Sequence, residues 1–548
     1  MKKLYLFVSL LSLINGLTAQ SFEWAKAEGK YAYDYGYGVV TDMNGNLYVA
    51  GKYEENAIFS GTTLPNHGNH DIFLAKYSPA GALDWIRTGG GHDGDYAHAI
   101  AYNQANTIYI AGEVESGNAL VTFPGSTITL NPSGDNDVFI AAYDLSGNLQ
   151  WARRDGYWYN EKALGIACDN SGNIVICGYY RDTTKFGGTF IPSKGQEDMF
   201  VAKYTATGTL LWMKHAGGPG EDEGKAVMCD ASGNIYVCGM YSDGAVFGTT
   251  TYTTANTSFG KFLDGYVAKY DPSGTLLWVK TIVGDYDDVA WSITKDNGGK
   301  IYVSGEYSGA KFDGTTDVWP VGRQDAFVVC YDQNGNYQWV SHGGGPTDDR
   351  ARGIGTDGTT IFMTGQYGLN STFGSVSVTG VDSSDIFISA LDNTGNFLWT
   401  KTVAGIADTF ELDSYESGIA ICAKSGVAYV TGTLLDGGNF DGQNLVGYKR
   451  TDAFVAKIST TVGLDEIQLS IDGISLYPNP VKGKLSVRIN KDIESAELVI
   501  FNMLGQTVLR EEINGTCIID LSSYVSGLYS YNLLSNKQKI KSGKLMIE

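Results

Sequence analysis

A carboxylate recurs at one place in a repeated pattern, eight residues before a short turn that begins with Asp or Asn. The positions are Asp34, Asp95, Glu161, Asp222, Asp288 and Asp349, with Glu416 one step out of register in the last repeat. Carboxylates gathered at one place raise one another's pKa unless a cation or hydrogen-bond donors compensate them. The pattern therefore predicts a site for Ca²⁺ or a cationic ligand. The structural alternative is that each carboxylate accepts backbone N–H bonds in its own repeat, and strict repetition favours it because binding sites usually break symmetry.

The repeats differ from one another at the position three residues after each carboxylate. The residues there are large, aromatic or charged and differ from repeat to repeat, namely Tyr37, His98, Leu164, Lys225, Trp291 and Arg352. Small residues flank them, such as Gly36 and Gly38. Variable large side chains on a common framework are typical of a recognition surface. We predict that these side chains bind the ligand, with gap filling between repeats as the alternative.

Catalytic signatures are missing from the sequence. It contains no Gly-x-Ser-x-Gly motif in a strand-to-helix context, no His-Glu-x-x-His and no phosphate-binding loop. A polysaccharide-acting enzyme, a glycosidase or a lyase, would need two non-equivalent acid–base groups, whereas the repeated carboxylates are equivalent. The sequence therefore favours a protein that binds or acts as a scaffold without catalysis. An extracellular enzyme on polysaccharide and a purely structural adhesin are the alternatives.

Composition excludes two classes of partner. The 548 residues include 71 Gly and 35 Tyr, carry a formal net charge of −21 and give a pI of about 4.7. Nucleic-acid binding requires a basic face, and anionic lipid headgroups would repel so acidic a chain. The glycines and tyrosines indicate many strands and tight turns. Nucleic-acid and membrane-surface binding are therefore not expected.

The N-terminus has the features of a secretory signal peptide. Lys2 and Lys3 precede a mostly apolar run over residues 4–14, and the stretch ends at Ala19. A basic start, a short apolar run and small residues before a cut are typical of such a peptide. No later stretch reaches the length of about 18 apolar residues that a spanning helix needs. We predict that residues 1–19 are removed and that the mature chain has no transmembrane segment.

Three markers count seven repeats. A Trp recurs every 60 to 66 residues, at Trp24, Trp85, Trp151, Trp212, Trp278, Trp339 and Trp399. An Asp-x-aromatic motif and a Phe-Gly motif each occur seven times as well. Four short strands separated by Gly-bearing turns fill each repeat, which is typical of a propeller blade. The chain begins with a fourth strand, around Trp24, and leaves the repeats after a third. We therefore predict an all-β, seven-bladed β-propeller that the N-terminal strand closes.

Residues 22–458 resemble the short β-propeller repeat (SBBP) family of secreted bacterial proteins. The resemblance rests on motifs such as Asp169-x-x-Gly-Asn-Ile-Val-Ile-x-Gly and Asp198-x-Phe-Val-Ala-Lys-Tyr. It implies a propeller fold for this part of the chain. It implies almost nothing about chemistry, because propellers host many functions.

The repeat stops after residue 459, and the tail resembles a type A C-terminal sorting domain of type IX secretion cargo. After a linker over residues 460–473, alternating segments predict a small Ig-like β-sandwich over residues 474–548. The residues that carry the resemblance include Tyr477, Pro478, Asn479, Pro480, Gly505, Gly527 and Lys544. The resemblance implies recognition by an outer-membrane translocon, followed by release or attachment at the surface.

Together these patterns predict three functional parts. Residues 1–19 are the signal peptide, residues 20–459 are the propeller and residues 474–548 are the sorting domain. The predicted location is the outer-membrane surface or the extracellular space. The predicted partners are the type IX translocon and an extracellular glycan or protein ligand that the sequence does not identify.

Overall fold

The computed structural model describes residues 20–30, 32–115, 120–254, 256–257, 260–312, 317–381, 384–405, 416–459, 475–477, 481–489, 495–502, 506–535 and 538–547. No helix occurs in these ranges, so the described chain is all-β. It divides into two compact units, one spanning residues 20–460 and the other containing the C-terminal tail from residue 461. The predicted signal peptide and linker lie outside the described residues.

Seven four-stranded antiparallel arrangements, here called sheets I to VII, account for most strands of the first unit within these ranges. The first strands are Tyr35–Thr41, Asp95–Tyr102, Glu161–Cys168, Glu223–Cys229, Val289–Lys295, Arg350–Thr356 and Ser417–Lys424. The second strands are Leu47–Glu54, Thr107–Glu115, Ile174–Phe186, Ile235–Tyr241, Ile301–Tyr307, Ile361–Tyr367 and Val427–Phe440. The third strands are His70–Tyr77, Asn136–Asp144, Thr189–Tyr204, Asp264–Tyr270, Asp325–Tyr331, Asp385–Leu391 and Gln443–Ser459. The fourth strands are Leu83–Gly89, Leu149–Asp155, Leu210–Ala216, Leu276–Gly284, Tyr337–Gly344, Phe397–Gly405 and, in sheet VII, Ser21–Glu28.

Short hairpins extend from several loops between the second and third strands. They are Ile58–Phe59 with Thr62–Thr63, Val121–Thr122 with Thr129–Leu130, Ala245–Phe247 with Thr250–Tyr252, Asn256–Thr257 with Gly260–Lys261, Ala310–Lys311 with Asp317–Val318, and Asn370–Phe373 with Val376–Thr379. In sheets III and VII the second and third strands run through this excursion without a break. Small antiparallel sheets of this kind are consistent with a propeller-like fold.

The N-terminal strand pairs with the last strand of the repeats, as the sequence predicts. Ser21–Glu28 lies antiparallel to Gln443–Ser459, with Trp24 opposite Lys457. Phe22 is buried and its ring meets that of Phe440 edge-on at 4.9 Å between centroids. The two ends of the repeated region therefore belong to one sheet.

Five of the seven recurrent Trp residues form a hydrogen bond to the next sheet. The indole Nε1 of Trp24 in sheet VII donates to the carbonyl of Pro79, in the last turn of sheet I, at 3.1 Å. Trp85, Trp151, Trp212 and Trp339 repeat this bond to the corresponding turns at 3.2 to 3.3 Å. The turn carries a Gly with positive φ, such as Gly81, whose Cα lies against the Trp ring. A side chain at that Gly would collide with the indole.

The core lies between neighbouring sheets. In the described part of the first unit, seven clusters of buried apolar side chains each draw on two adjacent sheets. One of them contains Tyr53 and Phe73 of sheet I together with Tyr429 and Val455 of sheet VII. The first strand of each sheet also contacts the first strand of the next sheet, and the first strand of sheet VII contacts that of sheet I. The sheets therefore pack in an order that leads from sheet VII back to sheet I.

The tail has two small sheets around a core of its own. One sheet contains Ser475–Tyr477, Lys484–Arg488 and Thr516–Asp520, and the other contains Thr507–Ile513, Ala496–Phe501, Gly527–Ser535 and Gln538–Ile547. Buried residues of both, such as Leu485 and Leu498, form one cluster. Among the described residues of the whole chain, no helix is long and apolar enough to cross a membrane.

Candidate functional site

A cavity of about 440 Å³ lies among the seven first strands. All six variable positions that the sequence singles out line it, namely Tyr37, His98, Leu164, Lys225, Trp291 and Arg352. The equivalent residue of the seventh repeat, Ile419, lines it as well. The structure thus brings the predicted recognition residues together around one space.

A β-bulge in each first strand aims these side chains into the cavity. In sheet I, Gly36 pairs with Gly51 and Gly38 pairs with Ala50, which leaves Tyr37 as an extra residue without a partner in the ladder. The other six first strands show the same register shift around the equivalent residue. A bulge turns a side chain out of the regular alternation, and bulges are common beside functional sites.

A glycine in the second strand makes room for each bulge. A Cβ on Gly51 would lie 1.9 Å from the carbonyl oxygen of Tyr35, a distance that no side chain tolerates. The same close approach of 1.8 to 1.9 Å occurs at the equivalent glycines, which are Gly112, Gly178, Gly239, Gly305, Gly365 and Gly432. The bulge is therefore fixed by backbone and glycine, while the bulged side chain remains open to variation. This glycine is the signal from which the bulge could be predicted.

One side of the cavity is a cationic and aromatic cluster. The Trp291 ring has Lys225 Nζ at 4.7 Å and the guanidinium carbon of Arg352 at 4.5 Å from its centroid. Its indole Nε1 donates to Glu306 Oε1 at 3.2 Å, which holds the ring in place. Burial lowers the pKa of Arg352, and its buried Nε has no hydrogen-bond partner among the described residues. The cluster therefore has an unused N–H donor on a positively charged group.

The opposite side is aromatic and is held by a buried acid behind it. Tyr37 lies 5.1 Å from His98 between ring centroids, and His98 Nε2 is 3.1 Å from Glu113 Oε1. Lys162 Nζ approaches the other oxygen of Glu113 at 3.0 Å. Burial would raise the pKa of Glu113, but His98 and Lys162 outweigh burial and the pKa is lowered. Glu113 therefore positions His98 without itself lining the cavity.

The basic residues of the wall have acids behind them. Among the described residues that line the cavity, Lys225 and Arg352 are basic and no Asp or Glu is present. Glu223 Oε2 lies 2.6 Å from Lys225 Nζ, and Glu306 lies near Arg352, but neither acid lines the cavity. Two residues beyond the bulge, a belt of β-branched side chains forms the apolar part of the wall, namely Val39, Ile100, Ile166, Val227, Ile293 and Ile421. Sequence reasoning missed this belt, although a Val or Ile recurs there in every repeat. The cavity therefore combines cationic donors with an apolar surface.

The repeated carboxylates do not line this cavity. Asp34, Asp95, Glu161, Asp222, Asp288 and Asp349 are fully buried, each at the start of its own sheet. Asp222 accepts the backbone N–H of Gly218 at 2.8 Å and that of Ser242 at 2.9 Å. The other five likewise accept backbone N–H groups of nearby loops. No three His, Cys, Asp or Glu side chains converge as a metal site anywhere in the described ranges. The geometry favours the structural alternative over the cation site.

Each of these carboxylates has a second buried carboxylate as its neighbour. Asp222 faces Asp198 of the preceding sheet, and Asp95 faces Asp71 in the same way. Burial, with a smaller contribution from the neighbouring carboxylate, raises the pKa of Asp222 and of Asp349 to about 7. The same causes raise the pKa of Asp34 and of Asp95 to about 8. A proton is therefore expected to remain on each such pair near neutral pH.

We expect the folded protein to lose stability as the pH rises from 5 to 9. The native pairs hold protons that the unfolded chain has already released above pH 4, so the free energy of unfolding falls with pH through the native pKa values. In Asp222→Asn the side-chain amide keeps an N–H donor where the protonated carboxyl has its O–H donor. Between pH 5 and 7 the free energy of unfolding of this variant should fall by about 2 kcal/mol less than that of the natural chain. Urea denaturation at pH 5, 7 and 9 measures both quantities.

Bound Ca²⁺ would reverse this result. Ionised pairs neutralised by a cation would make stability rise with pH over the same interval, and excess EDTA would lower the melting temperature at pH 7 by removing a ligand of the native state. The exposed Asp271 gives the matched control. Asp271→Asn should leave the slope above pH 5 unchanged, because hydrogen bonds within its turn, chiefly from Ser273, lower the pKa of Asp271.

The structure places only part of the predicted sorting signal. Tyr477 ends the strand Ser475–Tyr477, and Gly527 and Lys544 lie on the adjacent strands Gly527–Ser535 and Gln538–Ile547. Pro478, Asn479, Pro480 and Gly505 lie outside the described residues. The three described positions are thus distributed over both small sheets of the tail.

A family comparison assigns the tail. Residues 475–548 match the secretion system C-terminal sorting domain, Por_Secre_tail. This is the type IX sorting domain that the sequence predicts. It directs export by the type IX machinery to the cell surface or the extracellular space.

The chain has distant relatives. An uncharacterized WD repeat-containing protein of Acanthamoeba polyphaga mimivirus is 24% identical over an alignment of 264 residues, which covers 40% of this chain and 19% of that protein. The regulatory protein FlaEY of Caulobacter vibrioides is 24% identical over an alignment of 406 residues, which covers 68% of this chain and 40% of that protein. The chain thus spans less than half the length of these relatives.

Among solved structures, the extracellular domain of the hybrid two component system BT4673 from B. thetaiotaomicron aligns at 10% identity with a TM-score of 0.17. The alignment covers 94% of this chain and 92% of that one.

Proposed function

We propose that the chain is an exported, non-catalytic binding protein whose ligand presents an anionic group on an apolar or aromatic body. The carrying observation is the cavity wall, which presents Lys225, Arg352 and His98 but no carboxylate on a chain of net charge −21. An anion in the cavity would form charge-assisted hydrogen bonds with the guanidinium of Arg352 and the ammonium of Lys225, which line it. The ligand is a small molecule or the end of a larger extracellular glycan or protein.

We further infer that sheets I to VII are the blades of a closed seven-bladed propeller of the SBBP type, with residues 1–19 as its signal peptide and residues 474–548 folding as an Ig-like sandwich. The pairing of Ser21–Glu28 with Gln443–Ser459 supports closure, and the relative named for WD repeats supports a repeat propeller. In this arrangement the seven bulges surround the central channel. The cavity is then a funnel that ends on the apolar belt.

A polysaccharide-acting enzyme would need an acid–base pair at this place. Glycosidases use two carboxyl groups that flank the scissile bond. The described lining residues include none, and the acids that contact them, such as Glu306 behind Trp291 and Glu223 beside Lys225, do not line the cavity. Binding without catalysis is therefore the function that the cavity supports best.

We expect an aromatic anion to stabilise the full chain and its cationic analogue to have no effect. The probes are phenylacetate, phenethylamine and 2-phenylethanol, which share a ring and differ in charge. A ligand that binds only the native state raises the melting temperature, here by about 1–2 °C at a concentration several-fold above Kd. Scanning fluorimetry at 20 mM of each probe measures the shift.

Arg352→Gln tests the residue that carries the proposal. It should weaken phenylacetate binding by about tenfold or more, because a buried charge pair is lost. Arg510→Gln is the matched control, since Arg510 is an exposed arginine of the tail that pairs with Glu497. Equal shifts from anion and cation, or an unchanged shift in Arg352→Gln, would contradict the proposal.

A further inference from the structure

A second concave site lies at the loop edge of sheets IV, V and VI. It is a groove of about 830 Å³, built from the loop before the third strand of sheet V and from the loops that lead into sheets V and VI. None of the bulged residues lines it. It adjoins the cavity at Glu306, which lines the groove and bonds to Trp291, but its lining residues are otherwise different.

Exposed aromatic rings form one wall of the groove. Trp319 is 63% exposed and Tyr286 is 44% exposed, although large aromatic side chains are usually buried. The Trp319 ring rests on Gly309, where an added Cβ would lie 2.9 Å from the ring. Phe262 packs against Tyr286 with 5.0 Å between ring centroids. Contacts at the base of both rings hold them in place, so the exposed ring surface is ready for a ligand.

Planar polar side chains occupy the floor and hold one another. Arg350 Nη2 donates to Gln324 Oε1 at 3.2 Å, and Gln324 Nε2 donates to the carbonyl of Asp287 at 3.3 Å. Asp287 Oδ1 accepts the backbone N–H of Leu263 at 2.9 Å. Carboxylate, amide and guanidinium groups each offer two hydrogen-bonding atoms in a plane. Such groups match adjacent hydroxyls on a ring.

The charges of the groove are largely internal pairs. Arg323 Nε lies 3.5 Å from Asp348 Oδ1, and Arg350 forms an ion pair with Glu306. Both arginines are thus compensated by acids. An anionic ligand would meet these acids, so a neutral ligand fits better.

We propose that the groove of Trp319, Tyr286 and Gln324 binds a neutral oligosaccharide. A sugar ring has an apolar C–H face, which stacks on an aromatic ring, and a rim of hydroxyls, which bond to planar polar groups. Fixed aromatic rings beside paired polar side chains supply both surfaces. The groove has the volume of a binding site for a short chain of sugars.

Isothermal titration of the full chain with neutral hexasaccharides tests the proposal. The probes are cellohexaose, xylohexaose, mannohexaose, laminarihexaose and maltohexaose, with hexagalacturonate as the charged comparison. We expect at least one neutral probe to bind, and Trp319→Ala and Tyr286→Ala each to weaken it more than tenfold. Both side chains are exposed, so the melting temperature of the variants should remain close to that of the natural chain.

Trp158→Ala is the matched control, because Trp158 is also 63% exposed but lies in the loop before sheet III. It should bind the same probe within twofold of the natural chain. The proposal is overturned if no neutral hexasaccharide binds or if hexagalacturonate binds more tightly. It is also overturned if Trp319→Ala binds normally, or if Trp158→Ala loses as much affinity as Trp319→Ala.

Discussion

Deleting residues 20–28 is expected to make the protein aggregate or to lower its melting temperature by about 10 °C or more. The deletion removes the complete strand Ser21–Glu28. The long strand Gln443–Ser459 then keeps only its pairing with Val427–Phe440 and exposes an unpaired edge on its other side. It also removes Phe22 from a buried cluster, a change that alone costs about 3–5 kcal/mol at typical core positions. Size-exclusion chromatography and scanning calorimetry measure the result.

Two further contacts connect this strand to sheet I. Glu28 is almost fully buried and accepts the hydroxyl of Tyr77 at 3.0 Å. Trp24 donates to the carbonyl of Pro79. Deletion would leave Tyr77 without that acceptor and would uncover the turn of sheet I. The loss therefore extends beyond sheet VII.

A peptide supplied in trans separates strand pairing from other effects of truncation. The peptide of residues 20–30 should restore a monodisperse protein and raise its melting temperature by strand addition. The same peptide with Phe22→Asp is the matched control and should fail, because it would bury an unpaired charge. A truncated protein with unchanged melting temperature and monodispersity would contradict closure by the N-terminal strand.

The strands of the repeats could be predicted because their signals are local and occur many times. In the first repeat the sequence predicts a strand at Tyr35–Thr41, which is confirmed, and a second at residues 46–52, which the structure gives as Leu47–Glu54. Apolar runs bounded by turns that contain Asp and Gly fix such limits within two residues. Seven repetitions then make each assignment support the others.

The directions of the side chains could not be predicted in the same way. The sequence suggests that Asp34 and Tyr37 share one channel mouth, since they are three residues apart. In the structure Asp34 is buried against backbone N–H groups, while Tyr37 enters the cavity from a bulge. One extra residue in a strand changes which face the next side chain takes. That extra residue shows only in the pairing with the second strand, where Gly51 pairs with Gly36 and Tyr37 has no partner.

The groove could not be predicted from the sequence either, for a different reason. Trp319 and Tyr286 each occupy a place that recurs in the other repeats, and Tyr286 follows Trp278 by eight residues. Most other repeats carry no aromatic residue at either place, so the pattern does not single them out. Gln324 and Asp287 come together because two loops from different parts of the chain meet at one edge. Loops carry binding residues on a rigid scaffold, and their meeting is a tertiary property.

Removing residues 475–548 is expected to abolish export while leaving the first unit folded. Its described residues have cores between neighbouring sheets, and those of the tail have a separate core that includes Leu485 and Leu498. A unit with its own core keeps its stability without the other. The melting temperature of the remaining chain should therefore change by no more than about 2 °C.

Export should fall because the match to the secretion system C-terminal sorting domain lies entirely within the removed residues. In a bacterium that carries the type IX machinery, the truncated protein should remain in the periplasm, and less than about a tenth of the natural amount should reach the surface or the medium. Immunoblots of cell fractions measure this distribution. The converse fusion, with residues 1–19 before a fluorescent reporter and residues 461–548 after it, should carry the reporter outside the cell. Full surface display of the truncated chain, or a reporter that stays in the periplasm, would show that residues 461–548 are not the export signal.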